Sequence, residues 1–139
     1  MALEFISLKK ATISLGKAIE VVSRKLLDKS VATEELDTIK AGVIQNFEFT
    51  YEQSWKLMKR WLEENVGSEE TDGVPRKELF RLGLENGLIT DIDNWMTFHR
   101  ARNVSSHTYD QDTADEVFAA AVSFLPFAED LLMRLEQKK

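Results

Sequence analysis

The sequence predicts an all-α protein, an antiparallel up-and-down helical bundle of four long helices and one short one. Three observations carry this. Apolar residues return every three or four positions over long runs, the period of an amphipathic helix. Only 6 Gly and 2 Pro punctuate 139 residues, and most of them fall between Gly67 and Gly87. No segment shows the alternation of a strand. With 43% hydrophobic content over this length, residues 1–139 suit one core and read as a single domain.

Helix one is expected across residues 3–27, with Leu8, Ala11, Leu15, Ala18, Ile19, Val22 and Leu26 on one stripe. Gly16 inside it costs about 1 kcal/mol relative to Ala, which suggests local weakness or the close approach of a neighbour. Residues 28–33 are a polar connection in which Ser30 or Thr33 can cap helix two, and Glu34 and Glu35 suit its N-terminal dipole. Helix two runs to about Asn65. Leu36, Ile39, Val43, Phe47, Tyr51, Ser54, Met58 and Trp61 share a side, and Ile44, Trp55 and Leu62 widen the arc. So wide an arc needs several neighbours, which makes this the central helix and leaves apolar surface for a two-fold mate to cover.

Val66-Gly67 ends helix two, and residues 68–74 lack periodicity and read as an exposed loop. Pro75 suits a first helical position, so a short helix is expected from Arg76 to about Glu85, closed by Asn86-Gly87. Thr90-Asp91-Ile92-Asp93 resembles a capping box that launches helix four through Trp95, Met96 and Phe98. Thr113-Ala114-Asp115-Glu116 is a second capping box for the last helix. That helix carries Val117, Ala121, Phe124, Leu125, Ala128, Leu131, Leu132 and Leu135, with a kink expected near Val122 because of Pro126.

Composition narrows the function classes. There is no cysteine, which removes disulfides, thiolate metal sites and thiol nucleophiles, and fits a reducing compartment. The N-terminus lacks the basic start and apolar run of a signal peptide, and no apolar stretch approaches the roughly 20 residues of a membrane span. A cytoplasmic protein with no membrane partner is expected. Net charge -6 argues against a broad grip on nucleic-acid backbone, which needs many Lys and Arg contacts.

The chemically dense stretch is His99-Arg100-Ala101-Arg102-Asn103-Val104-Ser105-Ser106-His107-Thr108-Tyr109-Asp110. It holds both histidines, and no Asp or Glu lies between Asn94 and Tyr109, so Arg100 and Arg102 form a local positive island suited to a phosphate. In an unbroken helix Arg102 and His107 diverge by about 140°. Val104-Ser105-Ser106 is a run of poor helix formers, so the helix is expected to loosen there and let His107 turn towards Arg102. His99 shares the face of Arg102 and Asn103 without distortion. An Arg fork on a phosphate, an orienting amide and an imidazole that titrates near neutrality suit cleavage of RNA by its own 2′-hydroxyl, with no metal and no cofactor. On spacing alone an alternative stays open, in which Arg102 and His107 only bridge helix ends through ordinary hydrogen bonds.

Arg102-Asn103-Val104-Ser105-Ser106-His107-Thr108-Tyr109 resembles the Arg-x4-His-x-Tyr motif of HEPN proteins, in the branch described as substrate-binding partners of small nucleotidyltransferases. Residues 43–56, Val-Ile-Gln-Asn-Phe-Glu-Phe-Thr-Tyr-Glu-Gln-Ser-Trp-Lys, are similar to that branch's helix-two signature. The resemblance implies a helical homodimer with both Arg-x4-His elements along one cleft, which in active members cleaves RNA without metal. It assigns Arg102 to the phosphate and His107 to acid or base catalysis, with Asn103 as the polar residue beside the arginine. His99 and Arg100 join Asn103 as candidate substrate-binding residues. Tyr109 matches the tyrosine to which a cognate nucleotidyltransferase adds AMP in toxin and antitoxin pairs.

Glu48 and Glu52, four apart on helix two, read first as a solvated charged face. Trp55, Trp61 and Trp95 fall on apolar arcs and read as core or dimer interface rather than base-stacking platforms. The histidines and carboxylates make no metal-ligand spacing. Without a Gly-rich phosphate loop, the chain is not expected to be the nucleotidyltransferase itself. Three functions follow: a metal-independent RNase toxin silenced by AMP on Tyr109, a non-catalytic subunit that binds a nucleotide or other substrate, or a structural dimer.

Overall fold

The computed structural model describes residues 4–138, and the expectation that helix one begins at Leu3 lies in part outside them. The elements are α1 (Ile6–Leu26), α2 (Thr33–Asn65), α3 (Ser68–Thr71), α4 (Arg76–Glu85), α5 (Asp93–Val104), a 3-10 turn (Ser105–His107) and α6 (Gln111–Gln137). Among the described residues there is no strand, and the expected all-α bundle is what forms. None of these helices is long and apolar enough to cross a membrane.

At 33 residues α2 is about 50 Å long and serves as the spine, packing against α1, α4, α5 and α6. Its core-facing residues Val43, Phe47, Thr50, Tyr51, Ser54, Met58 and Leu62 are buried at the three-and-four spacing of one helical face. The stripe expected on α1 is likewise buried at Leu8, Ala11, Leu15 and Val22. Gly16 needs no special closeness, since a Cβ there would meet Leu125 Cδ2 at an ordinary 3.7 Å.

Phe124 of α6 ties the layers together. Its ring meets Phe47 of α2 and Trp95 of α5 edge-on, each with centroids 5.4 Å apart, and Phe98 of α5 at 4.9 Å. Edge-to-face pairs add to the area that these rings bury, so the cluster fixes how α5 lies across α2. α6 continues through Pro126 on its exposed side.

The helix starts depart from expectation. α2 has no side-chain cap: Ser30 instead donates its amide and its hydroxyl to Asp28 Oδ1, at 2.9 and 2.6 Å. At α5, Asp91 rather than Thr90 accepts from the Asn94 amide, at 2.7 Å. At α6, Asp110 caps the helix ahead of the expected box, and Thr113 donates both its amide and its hydroxyl to Asp110 Oδ2. At α5 and α6 an ionised carboxylate offers a stronger acceptor than the nearby hydroxyl and takes the position.

The segment read as an exposed loop contains the single turn α3, whose Thr71 is fully buried and donates to the Ser68 carbonyl. Pro75 precedes α4 in extended conformation, and Gly87 closes that helix at φ 74°, a conformation that suits a residue without Cβ.

Candidate functional site

The expected break after Val104 is present: α5 ends there and the chain tightens into the 3-10 turn of Ser105–His107. The reason is local. Ser105 Oγ reaches the Arg102 carbonyl at 2.8 Å and Glu48 Oε2 at 2.6 Å, and its hydroxyl also receives the Arg102 guanidinium at 3.2 Å. A serine that serves both backbone and side chains competes with helix propagation.

Arg102 turns onto the spine. Its Nη1 donates to Glu48 Oε2 at 3.0 Å, and its Nε lies 3.3 Å from Glu52 Oε1. That second contact is an ion pair without hydrogen-bond alignment, which leaves a buried N–H held by charge alone. Glu52 is in turn oriented by the Trp55 indole, which donates at 3.1 Å, and by Lys56 at 3.8 Å. The local positive island read from the sequence is thus corrected. It has no acid nearby in the chain, but folding lays Glu48 and Glu52, 54 and 50 positions away, against it. Their side chains are about 30% exposed, so they form a braced, partly solvated cluster and not the solvated face expected.

A second cluster surrounds His99. Its Nδ1 lies 2.9 Å from the Tyr51 hydroxyl, which receives Arg76 Nη1 at 3.1 Å. Its Nε2 is 3.4 Å from the Asn103 amide nitrogen, so the shared face expected for His99 and Asn103 is present. Arg76 stacks its guanidinium 3.6 Å from the Trp55 ring centre. Burial lowers the readiness of His99 to protonate, the Arg76 charge adds to this, and Glu52 opposes it in part. Burial also pushes the Tyr51 phenol up to about 12, against the pull of Arg76.

His107 and Tyr109 stand apart from both clusters. Both are exposed, Tyr109 at 86%, and their rings meet edge-on at 5.8 Å. No hydrogen bond or ion pair joins the side chains of Arg102 and His107 within the chain. Arg100 is exposed and donates to Thr97. Beneath the motif, Lys40, Ile44, Thr108, Gln111 and Phe118 line a cavity of about 190 Å³. Among the described residues no three His, Asp or Glu side chains converge as ligands for a metal ion.

Sequence reasoning missed Tyr51, Arg76 and Trp55 as site residues. The 48, 51, 52, 55 spacing on α2 was the available signal, since it places all four side chains on one face. Arg76 had no local signal, because only tertiary packing carries α4 to that face. Trp95 is core as expected, whereas Trp55 is only partly buried and carries Arg76.

Comparison with known proteins identifies the fold and the family. The chain is 41% identical over 103 residues to a Haemophilus influenzae protein named probable ribonuclease HepT, an overlap of 73% of this chain and 70% of the relative. A Haemophilus influenzae structure, described as revealing the fold of a substrate-binding domain of a nucleotidyltransferase, superposes with a TM-score of 0.90 at 35% identity. That match covers 96% of this chain and all of the other. A crystal structure of a Thermus thermophilus protein matches with a TM-score of 0.63 at 25% identity over 87% of this chain and 98% of its own. Residues 3–137 match the family described as nucleotidyltransferase substrate binding protein like, and the chain belongs to that family.

Proposed function

We propose that this chain is the HEPN-type partner of a separate small nucleotidyltransferase, that it works as a homodimer, and that it cleaves RNA without a metal. The observation that carries the reading is the intact Arg102-x4-His107-x-Tyr109 element set on a helix break. Arg102 is braced by Glu48, while the 3-10 turn leaves His107 exposed on the corner. A guanidinium held in place binds phosphate at a low cost in side-chain entropy, and an exposed imidazole can reach a substrate.

In this reaction the 2′-hydroxyl gives its proton to one His107 imidazole, and its oxygen attacks the adjacent phosphorus. The P–O5′ bond breaks, and the leaving O5′ takes a proton from the imidazolium of the other protomer. The products are a 2′,3′-cyclic phosphate and a free 5′-hydroxyl. General acid and base groups of this kind contribute about 10² to 10⁴-fold each.

Silencing follows from Tyr109. Its exposed phenol gives its proton to solvent and attacks the α-phosphate of ATP in the nucleotidyltransferase site, pyrophosphate leaves, and the AMP ester brings a negative charge and a base beside the motif. Apolar side chains left exposed on α1 and α2, Ile13 and Phe49 among them, are available to the two-fold mate.

One observation favours a second reading, a subunit that binds a nucleotide or other substrate without cleaving it. Arg102 already meets two carboxylates, which compete with a phosphate for its donors. The deciding experiment incubates the purified dimer with RNA in excess chelator. Cleavage that ends in cyclic phosphate, and that His107→Ala abolishes, establishes the nuclease. Intact RNA bound with an Arg102-dependent affinity establishes the binding subunit. Incubation with the partner nucleotidyltransferase and ATP should add the mass of AMP to the wild-type chain and none to Tyr109→Phe.

A further inference from the structure

We infer that Tyr51 and Arg76 are positioning residues that lock His99 as the neutral tautomer with its hydrogen on Nε2, so that this second imidazole presents a hydrogen-bond donor to a phosphate oxygen of the ligand. The donor role rests on the RNA-directed reading above. The tautomer lock stands on its own geometry.

The argument begins at the Tyr51 oxygen. Tyr51 is fully buried, so water does not satisfy its hydroxyl. Arg76 Nη1 is only ever a donor, and at 3.1 Å it occupies one lone pair of that oxygen. The phenol proton must then find an acceptor inside the protein, and His99 Nδ1 stands 2.9 Å away. If Nδ1 carried the hydrogen instead, two donors would point at one oxygen, and the phenol proton would be left buried without a partner, an arrangement that folded proteins avoid.

The other end of the ring makes the opposite demand. Asn103 Nδ2 is 3.4 Å from Nε2, and an amide nitrogen there asks Nε2 to accept. The two demands are unequal. The Tyr51 contact is shorter and closed to water, while Asn103 is exposed and can turn its carboxamide oxygen to the ring or bond water. The buried end therefore decides, and Nε2 carries the hydrogen.

The charges around the ring support the neutral form. Tyr51 and Glu52 face it from α2, Arg76 from α4, and Arg100 lies on its own helix. Of these only Glu52 favours an imidazolium, and Glu52 already serves Arg102, Trp55 and Lys56. His99 and His107 thus differ in kind. His107 is exposed and free of such a lock, while His99 is a fixed donor one helical turn before Arg102. A neutral donor suits the non-bridging oxygen of a phosphate neighbouring the one that Arg102 holds.

The test uses the full chain labelled with ¹⁵N, in which only two imidazoles give signals and His107→Ala identifies those of His99. Long-range proton–nitrogen spectra near neutral pH should show Nδ1 of His99 unprotonated and Nε2 protonated. In Tyr51→Phe, which keeps the ring against Phe124, the preference should collapse towards a mixture. A hydrogen on Nδ1, an imidazolium, or an unchanged spectrum in Tyr51→Phe overturns the lock.

A 2′-O-methyl oligoribonucleotide, which cannot be cleaved, tests the donor role. His99→Ala should weaken its binding about tenfold, the size of one lost hydrogen bond to a charged group, and Tyr51→Phe about twofold, because a tautomer mixture leaves about half of the rings as donors. Binding that is unchanged in both variants overturns the donor role. If wild type and Arg102→Ala alike fail to bind, the RNA-directed reading and the donor role fail together, and the spectrum still decides the lock.

Discussion

Arg102 Nη1 lies 3.0 Å from Glu48 Oε2 across 54 residues of sequence, and the Ser105 hydroxyl touches both partners. This three-way contact pins the end of α5 to the middle of α2 at the point where the chain leaves the helix. Because both charged side chains are about 30% exposed, water screens the pair, and its coupling is expected near 1 kcal/mol. A double-mutant cycle on Glu48→Gln and Arg102→Ala, read by urea denaturation, measures it directly. Glu48→Gln alone should lower Tm by about 4 °C. A coupling near zero would mean that the contact does not brace the arginine.

His107→Ala should separate stability from function. The side chain is exposed and its contact is an edge-on meeting with Tyr109, so unfolding free energy should change by less than about 0.5 kcal/mol. On the nuclease reading, RNA cleavage should fall by about 10² to 10⁴-fold in the same sample. Parallel circular dichroism and gel assays check both halves.

Phe124→Ala should be the costly core substitution. The ring contacts Phe47, Tyr51, Trp95 and Phe98, and its removal leaves a cavity between three helices. A loss of about 3–5 kcal/mol is expected, read as a lower urea midpoint with an unchanged slope. Because Tyr51 packs on this ring, the signals of His99 should broaden in the same variant.

Asp110→Ala tests the cap of α6 through its pH dependence. The side-chain and backbone hydrogen bonds from Thr113 hold the Asp110 carboxyl below its ordinary value of 3.8. A folded value below the unfolded one means that the cap stabilises fully above the unfolded value and is lost as pH falls through the folded one. Wild type should therefore melt above Asp110→Ala at neutral pH, and the gap should close as pH falls below 3.8 and through the lowered folded value. A gap that stays constant with pH would show that the carboxylate is not the cap.

Much of the molecule was legible in the chain itself. The spacing of Leu8, Leu15 and Val22, and of Phe47, Tyr51 and Met58, specified amphipathic helices, because a period of 3.6 admits one buried face. Pro75 and Gly87 marked the ends of α4, and the weak helix formers after Val104 marked the break that exposes His107, since local backbone preference acts over a few residues. Helix starts were placed less well. α2 starts without the side-chain cap read for it, and Asp91 and Asp110 took the roles read for Thr90 and Thr113, a competition between carboxylate and hydroxyl that depends on reach, which pattern does not encode. The site's electrostatics belonged to tertiary structure alone. Arg102 has no nearby acid in sequence yet meets Glu48 and Glu52, and His99 acquires its partners from α2 and α4. Charge acts through space, and it took the crossing of α5 over α2, set by the rings around Phe124, to decide which charges met.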